Sequence, residues 1–432
     1  MKTDKPFYNS TIPSDWTTPE FGEMFTFLKS YSFSREQLSD EKTTGEVQNI
    51  HYGDIHATFE DEILDFEIEK RIPFVKDGLI STDKLSDEEF PFLKDGDLII
   101  ADASEDTIGV AECVELKNVN GRKIVSGLHT FAARDEKGKT VPGYRTYLLR
   151  HPQVIRELRR IATGFSVFGI SKTNLTKVRL PLPPHNEQEA FAELLNLMDT
   201  TINKNNQLIA KKEQQKKWLM WQLLTGRKRL KGFEKSKWKI YSLDKLIKPT
   251  VREVPKPSVP YLALGIRSHG KGTFLKPNED PEKNDMDKLY VVRKDDLIVN
   301  ITFAWEHAIA VANERDEGAL VSHRFPTYTF IKDKSDATFF RFFILQTRMK
   351  YEMQLISPGG AGRNRVLDKS DFLKLEFSIP DYEEQVAIGK ILQAADKEIQ
   401  LLKDKTIKLR EKKKGLMQQL LTGKKRLLTK GK

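Results

Sequence analysis

The sequence predicts an α+β (mixed α/β) chain in which two globular modules alternate with two long helices. Three observations carry this. A 44-residue stretch occurs twice, at 187–230 and 384–427, at a constant offset of 197 with no insertion. Within each copy, seam positions recur at alternating steps of three and four, as on the contact face of a coiled coil. Ahead of each copy lie short apolar or alternating runs separated by Gly- and Asp-bearing turns, the pattern of strands. A period this long rules out a solenoid, so the repeat is one module-plus-helix unit, duplicated. The resulting division is a module at 1–180, a helical segment at 181–231, a second module at 232–377 and a second helical segment at 378–432.

The first module opens with a segment containing Trp16. Strands are predicted at Val47–His51, Arg71–Val75, Asp97–Ala101 and Val110–Leu116. RTYLLRHPQVIRELRR, 145–160, reads as helical on either side of Pro152, and the Gly-bearing loop TGFSVFGISK leads towards the first long helix.

That helix has its seam at Phe191, Leu195, Met198, Ile202, Asn205 and Ile209, continuing through Lys212, Lys216, Leu219 and Leu223. Asn186 is the expected N-cap, Gly226 suits the left-handed position after the last turn, and the basic residues beyond it suit the negative end of the helix dipole. The second helix repeats this from Ile388 through Leu392, Ala395, Ile399, Leu402 and Thr406 to Leu409, Lys413, Leu416 and Leu420, with Asp381 and Gly423 at its ends. Each helix has too narrow an apolar face to form a core alone, so each is the natural partner of the other. Trp218 and Trp221, present only in the first copy, are expected to pack between them.

The second module keeps the plan of the first with less fidelity. Trp238 echoes Trp16, KDDLIVN echoes KDGDLIIA, and Ser322-His323 echoes Leu128-His129. The modules differ most in their loops, as two binding heads with different targets would.

Composition bounds the function. No apolar run approaches the length of a membrane span, and the N-terminal residues lack the layout of a signal peptide. A single cysteine, Cys113, permits no internal disulfide and is expected in a reducing cytoplasm. Net charge is +10 but uneven: residues 36–106 hold 21 Asp/Glu against 6 Lys/Arg, and residues 121–179 hold 13 Lys/Arg against 3 Asp/Glu. A basic segment in a module that also has an acidic side suggests a polyanion-facing surface.

Catalytic and metal motifs are scarce. The sequence has no G-x-x-x-x-G-K-[ST] loop for nucleotide phosphates, no [ND]-P-P-[FYW] segment, and no His/Cys pairs at zinc spacing. Asp102 with Glu115 and Lys117 has the D…E-x-K order of metal-dependent nucleases, a short pattern that arises readily in so charged a chain. Candidates for DNA contact are better placed. Arg363, Asn364 and Arg365 follow a Gly-rich run, where arginine can fork onto guanine or phosphate and asparagine can pair with adenine. Arg267, His269 and Lys271 lie in a second basic, Gly-punctuated loop. In the first module Arg122, Lys123 and Arg134 suit phosphate contacts. The acidic 36–106 stretch would repel phosphate, which moves the expected DNA face to 121–179 and to the turn around His51–His56, with His56 as its candidate.

The order of parts resembles the specificity subunit of type I restriction-modification systems across essentially the whole chain. The residues that carry the resemblance are P-x-x-x-E-Q at 183–188 and 380–385 and L-L-T-G-[RK]-[KR]-R-L at 223–230 and 420–427. The resemblance implies a non-catalytic subunit whose modules are target recognition domains, each reading one half of a bipartite, asymmetric sequence in double-stranded DNA. The helices would form an antiparallel coiled coil with pseudo-twofold repeat, a spacer that also recruits two methyltransferase subunits. Glu187, Gln188, Trp218 and Trp221, with Glu384, Gln385 and Leu420, are the candidate spacer and partner-binding residues. No cofactor is expected on this chain; S-adenosylmethionine would sit on the methyltransferases, and ATP and Mg on motor-nuclease (restriction) subunits. From Glu187 to Leu224 a helix rises about 57 Å, enough to hold two readers on separated half-sites. Two other readings remain open: a stand-alone DNA-binding regulator, and the metal-dependent nuclease.

Overall fold

The computed structural model describes residues 4–41, 45–81, 90–106, 109–359 and 365–427. Its contacts fall into two units, Met1–Asn205 with Lys405–Lys432, and Asn206–Asp404. The long helices run from His185 to Leu224 and from Tyr382 to Leu421, 40 residues each. Each gives one half to each unit. Among the described residues, no helix is long and apolar enough to cross a membrane.

In the first unit a five-stranded sheet runs in the order Thr26–Leu28, Thr130–Arg134, Leu98–Ala101, Cys113–Lys117, Ile63–Asp65, the last pair parallel. Leu98–Ala101 is buried at all four positions, so its apolar run reads as a strand covered on both faces. A four-stranded sheet joins Lys123–Ser126, Val47–Ile50, Phe74–Val75 and Leu38–Ser39. The core packs Trp16, Phe21, Ile100 and Tyr147 around Phe191 and Leu195 of the first long helix. Leu420 and Leu421 of the second helix join the same core.

The second unit has a four-stranded sheet, Ile247–Thr250, Thr327–Phe330, Leu297–Val299, Ile309–Val311. These match the first four strands of the five-stranded sheet in order, with no fifth strand among the described residues. A five-stranded sheet runs Glu253–Pro255, Lys288–Val291, Leu320–Val321, Tyr261–Ile266, Thr273–Glu279. Here the core takes Leu223 and Leu224 from the end of the first long helix, and Ile388 and Leu392 from the start of the second.

Within each unit the helix halves pair with residue numbers running in opposite directions. In the first, Lys413 meets Asp199 at 2.6 Å and Asn205 donates to Thr406 at 2.7 Å. In the second, Lys212 meets Glu398 at 2.7 Å and Lys216 meets Asp396. All seam positions named from the sequence are buried or half-buried. The polar ones sit mid-helix, where they pair across the seam in place of apolar contact.

The duplicated motifs close each unit with the same clasp. Trp16 Nε1 donates to Glu187 at 3.1 Å, and Arg426 forks onto the same carboxylate at 2.6 and 2.7 Å. In the other unit Trp238 Nε1 donates to Glu384 at 3.2 Å, and Arg229 forks onto it at 2.8 and 2.6 Å. Gln188 accepts from Val141 N–H and donates to the Pro183 carbonyl; Gln385 accepts from Asp336 N–H and donates to that of Pro380. Gly226 and Gly423 adopt φ of 71° and 68°, as a left-handed helix end requires.

Several expectations are corrected. Glu187, Gln188, Glu384, Gln385 and Leu420 do lie on the long helices, but they are buried within the units, where they build the fold. Trp218 and Trp221 are 49% and 45% exposed, not packed in the seam. Arg227 rides over the Trp221 ring and Lys228 over that of Trp218. The first helix begins at His185, where the Pro184 carbonyl accepts from Glu187 and Gln188, placing Asn186 inside the helix. Asp381 does precede the second helix. As expected, residues 145–160 are helical in two pieces that break just before Pro152, Arg145–Leu148 and Pro152–Ile161, the second capped by His151. The turn at His51–His56 is a short helix, Tyr52–Ala57, with His51 as its cap.

Candidate nucleic-acid interface

In the second unit the predicted basic loop is the hairpin connection between Tyr261–Ile266 and Thr273–Glu279. Arg267 N–H bonds Gly272 O at 2.9 Å and closes the loop. His269, Gly270 and Gly272 all adopt positive φ, and a Cβ on Gly270 would come within 3.0 Å of Leu345. The loop is pinned to the turn Ala304–Glu306. His269 N–H bonds Glu306 O at 2.7 Å, Gly270 N–H bonds His307 O at 3.0 Å, and the Ser268 hydroxyl reaches the Glu306 carboxylate. The His307 ring is buried against the Ile344 carbonyl, and burial lowers its pKa, keeping it neutral.

This frame fixes the backbone and leaves the side chains of Arg267, His269 and Lys271 exposed. Arg267 covers the Phe274 ring and bonds Thr273 O at 3.1 Å. Beside the loop is a cleft of about 690 Å³ lined by Ser268, Phe274, Lys276, Asn300, His323 and Arg324. Sequence reasoning missed Lys276 and Arg324 and treated His323 only as an echo of His129. The available signal was Ser322-His323-Arg324 standing before a strand. Arg365 approaches the same turn, bonding Ser357 O at 3.2 Å and lying over the Trp305 ring at 5.6 Å. Arg363 and Asn364 lie outside the described residues.

The first-unit candidates are more committed to the fold. Arg134 spends its guanidinium on Asp97, at 2.9 and 2.7 Å, and on Phe92 O. Arg252 on Asp296 is the matching pair in the second unit. Both ring nitrogens of His56 are engaged, by Glu112 at 3.0 Å and Ala103 O at 3.2 Å, and the bond to Glu112 raises its pKa. Lys123 pairs with Glu46 at 2.7 Å, while Arg122 is exposed and lies over Phe66. The loop 163–169, tied by Thr163–Gly169 backbone bonds, holds Phe165 97% exposed. An aromatic presented in this way can stack on or wedge between bases. Its loop was noted in the sequence, but its presentation was not.

The nuclease pattern does not assemble. Glu115 is buried and accepts from the N–H groups of Gly143 and Thr146, and burial pushes its carboxyl up to about 7. Asp102 pairs with His129 at 3.2 Å, whereas Lys117 bonds Asn196 at 3.0 Å. Among the described residues, no group of three His, Cys, Asp or Glu side chains could hold a metal ion.

Residues 243–411 match the family model of the type I restriction modification DNA specificity domain. The chain is 26% identical over 383 residues to a putative type I restriction enzyme MjaX specificity subunit of Methanocaldococcus jannaschii, covering 84% of this chain and 86% of that one. It is 25% identical over 289 residues to the MjaVIII specificity subunit of the same organism, covering 62% and 67%. In fold it resembles a type I restriction-modification S subunit from M. genitalium, with TM-score 0.52 and 15% identity, over 97% of this chain and 98% of that one. A chain from a structure of type I R-M complex assembly and conformational transition gives TM-score 0.52 at 14% identity, over 96% and 98%. The resemblance carried by the duplicated motifs therefore holds in sequence and in fold.

Proposed function

We propose that this chain is the DNA sequence-recognition subunit of a type I restriction-modification complex, non-catalytic in itself, with one target recognition domain in each unit. The observation that carries this reading is the duplicated clasp: Trp16, Glu187 and Arg426 close one head, and Trp238, Glu384 and Arg229 close the other. One frame is kept twice while the loops and edge strands it carries differ, which suits two readers of different half-sites in a bipartite, asymmetric target. Arg267, His269 and Lys271, with Arg324 at the adjoining cleft and Arg365 beyond Trp305, would meet DNA in the second unit. There arginine suits guanine or phosphate and lysine suits phosphate.

The same proposal takes the two long helices as one antiparallel coiled coil with internal pseudo-twofold repeat. The opposed order of the pairs Asp199–Lys413 and Lys212–Glu398 supports it. Their exposed faces would recruit two methyltransferase subunits carrying S-adenosylmethionine, with ATP and Mg on motor-nuclease subunits, in the cytoplasm.

The test is to express the chain with a type I methyltransferase subunit in a methylation-free host and to map N6-methyladenine by long-read sequencing. Methylation at one split, asymmetric motif is expected, requiring both proteins. Tight, specific operator binding by the chain alone with no methylation would favour a regulator and overturn the reading.

A further inference from the structure

The two units differ at one edge of the sheet they share. In the first, the fifth strand Ile63–Asp65 is preceded by Glu60-Asp61-Glu62, and all three carboxylates meet the long helices. Glu60 pairs with Arg410 at 2.8 Å, Asp61 accepts from Asn203 at 3.2 Å, and Glu62 pairs with Lys413, which also holds Asp199. The Lys413 ammonium lies against the Tyr147 ring.

Under the 197-residue offset these helix positions become Glu213, Gln400, Lys216 and Asp396. All four line one open cleft of about 1030 Å³ in the second unit, beside Asn313, which follows the edge strand Ile309–Val311. Lys216 pairs with Asp396 and lies against the Phe342 ring, as Lys413 does with Asp199 and Tyr147. No counterpart of the acidic segment is present among the described residues. The lining instead carries six cations against two carboxylates. Three of them, Lys217, Lys390 and Lys397, are exposed and make no ion pair among the described residues.

We propose that this cleft is a docking site for an acidic segment of a partner protein, held by Lys217, Lys390 and Lys397 beside the sheet edge whose counterpart Glu60-Asp61-Glu62 fills in the first unit. The inference rests on the proposed function, which makes that partner the methyltransferase subunit. Charge complementarity and the chain's own answer at the matching site favour a peptide. Glu213 and Asp396 on the lining are themselves paired with Lys403 and Lys216, so the three unpaired lysines are what the carboxylates of an incoming segment would meet.

The experiment uses the full chain with a type I methyltransferase subunit. Zero-length carbodiimide coupling followed by mass spectrometry is expected to join Lys217, Lys390 or Lys397 to Asp or Glu of the partner. The K217E/K390E/K397E chain is expected to bind the partner at least about tenfold more weakly, with unchanged melting temperature. The K217A/K390A/K397A chain should weaken binding less. If the reversed chain binds the partner as the wild type does, the docking site is overturned and the proposed function stands. If it loses only affinity for random duplex DNA, the cleft is a phosphate track and the proposal is wrong. If the unmodified chain forms no complex at all, the proposed function falls and takes the docking site with it.

Discussion

Arg426 grips Glu187 through two bonds, Nε to Oε1 at 2.6 Å and Nη2 to Oε2 at 2.7 Å, across 239 residues of sequence. The Glu187 side chain is 4% exposed, so removing the arginine leaves a buried carboxylate with the Trp16 indole as its remaining side-chain donor. Arg426→Ala is expected to destabilise the first unit by about 3 kcal/mol. Arg229→Ala should do the same to the second unit through Glu384. Calorimetry on the two variants should lower different transitions; the same loss in both, or none, contradicts the clasp.

Gly423 and Gly226 occupy the same motif position with φ near 70°, so alanine costs about 1 kcal/mol at either for the left-handed backbone alone. Their surroundings differ. A Cβ at Gly423 would lie 2.3 Å from Pro13, whereas at Gly226 it would meet Trp238 at an ordinary 3.4 Å. Gly423→Ala should therefore lower the melting temperature clearly more than Gly226→Ala. Equal shifts in thermal melts would refute this packing.

Lys413 is the one cation between Glu62 and Asp199 in the described ion pairs there. Burial opposes its charge, but the two carboxylates outweigh burial and raise its pKa; burial pushes Asp199 up to about 6. Lys413→Met leaves Asp199 without its ion-pair partner and Glu62 with only the Arg150 charge nearby, at a cost of about 3 kcal/mol near neutrality. Asp199, already raised by burial, then ionises with a still higher pKa in the folded chain, so the deficit grows as pH rises through 6 and shrinks below it. Urea unfolding at pH 5 and pH 8 should show the smaller loss at pH 5.

Glu115 carries a second pH effect. Burial lifts its carboxyl from 4.5 to about 7 in the folded chain. Between those values the folded chain holds a proton that the unfolded chain has lost, so its contribution to stability falls as pH rises, by about 3 kcal/mol in all. Glu115→Gln should flatten that part of the stability–pH curve. An unchanged slope between pH 4.5 and 7 would show that the carboxyl is not shifted.

Trp218 and Trp221 are half exposed, so Trp218→Ala with Trp221→Ala should change stability by no more than about 0.5 kcal/mol at each site. The double variant should lose the red-shifted, acrylamide-quenched part of the fluorescence, leaving Trp16, Trp238 and Trp305. If these rings anchor a methyltransferase subunit, its affinity should fall about tenfold.

Much of the fold was legible because periodicity is a local property. The seam from Phe191 to Leu223 and the left-handed Gly226 and Gly423 follow from spacing and residue type, and the structure buries and bends the chain there accordingly. Short strands such as Thr26–Leu28 and Lys123–Ser126 were not legible, since so few residues carry no clear alternation. Trp218 and Trp221 were misjudged because an aromatic stripe at helical spacing does not say which side of the helix is covered. Among the binding candidates, glycine and charge located the 267–272 loop. They did not show that Arg134 is consumed by Asp97 or that His56 is held at both nitrogens.

The sequence by itself determined that one unit is used twice, where its long helices end, and which family it resembles, because repeats and periodicity are written along the chain. Only the tertiary structure decided that Glu187 closes on Arg426 while Glu384 closes on Arg229. Both arginines stand at the same motif position, and the choice between them depends on helices paired in opposite directions. Packing likewise decided that an acidic segment fills one sheet edge and leaves the other a lysine-lined cleft. Contacts between residues hundreds of positions apart are set by which surfaces meet, and no spacing rule encodes that.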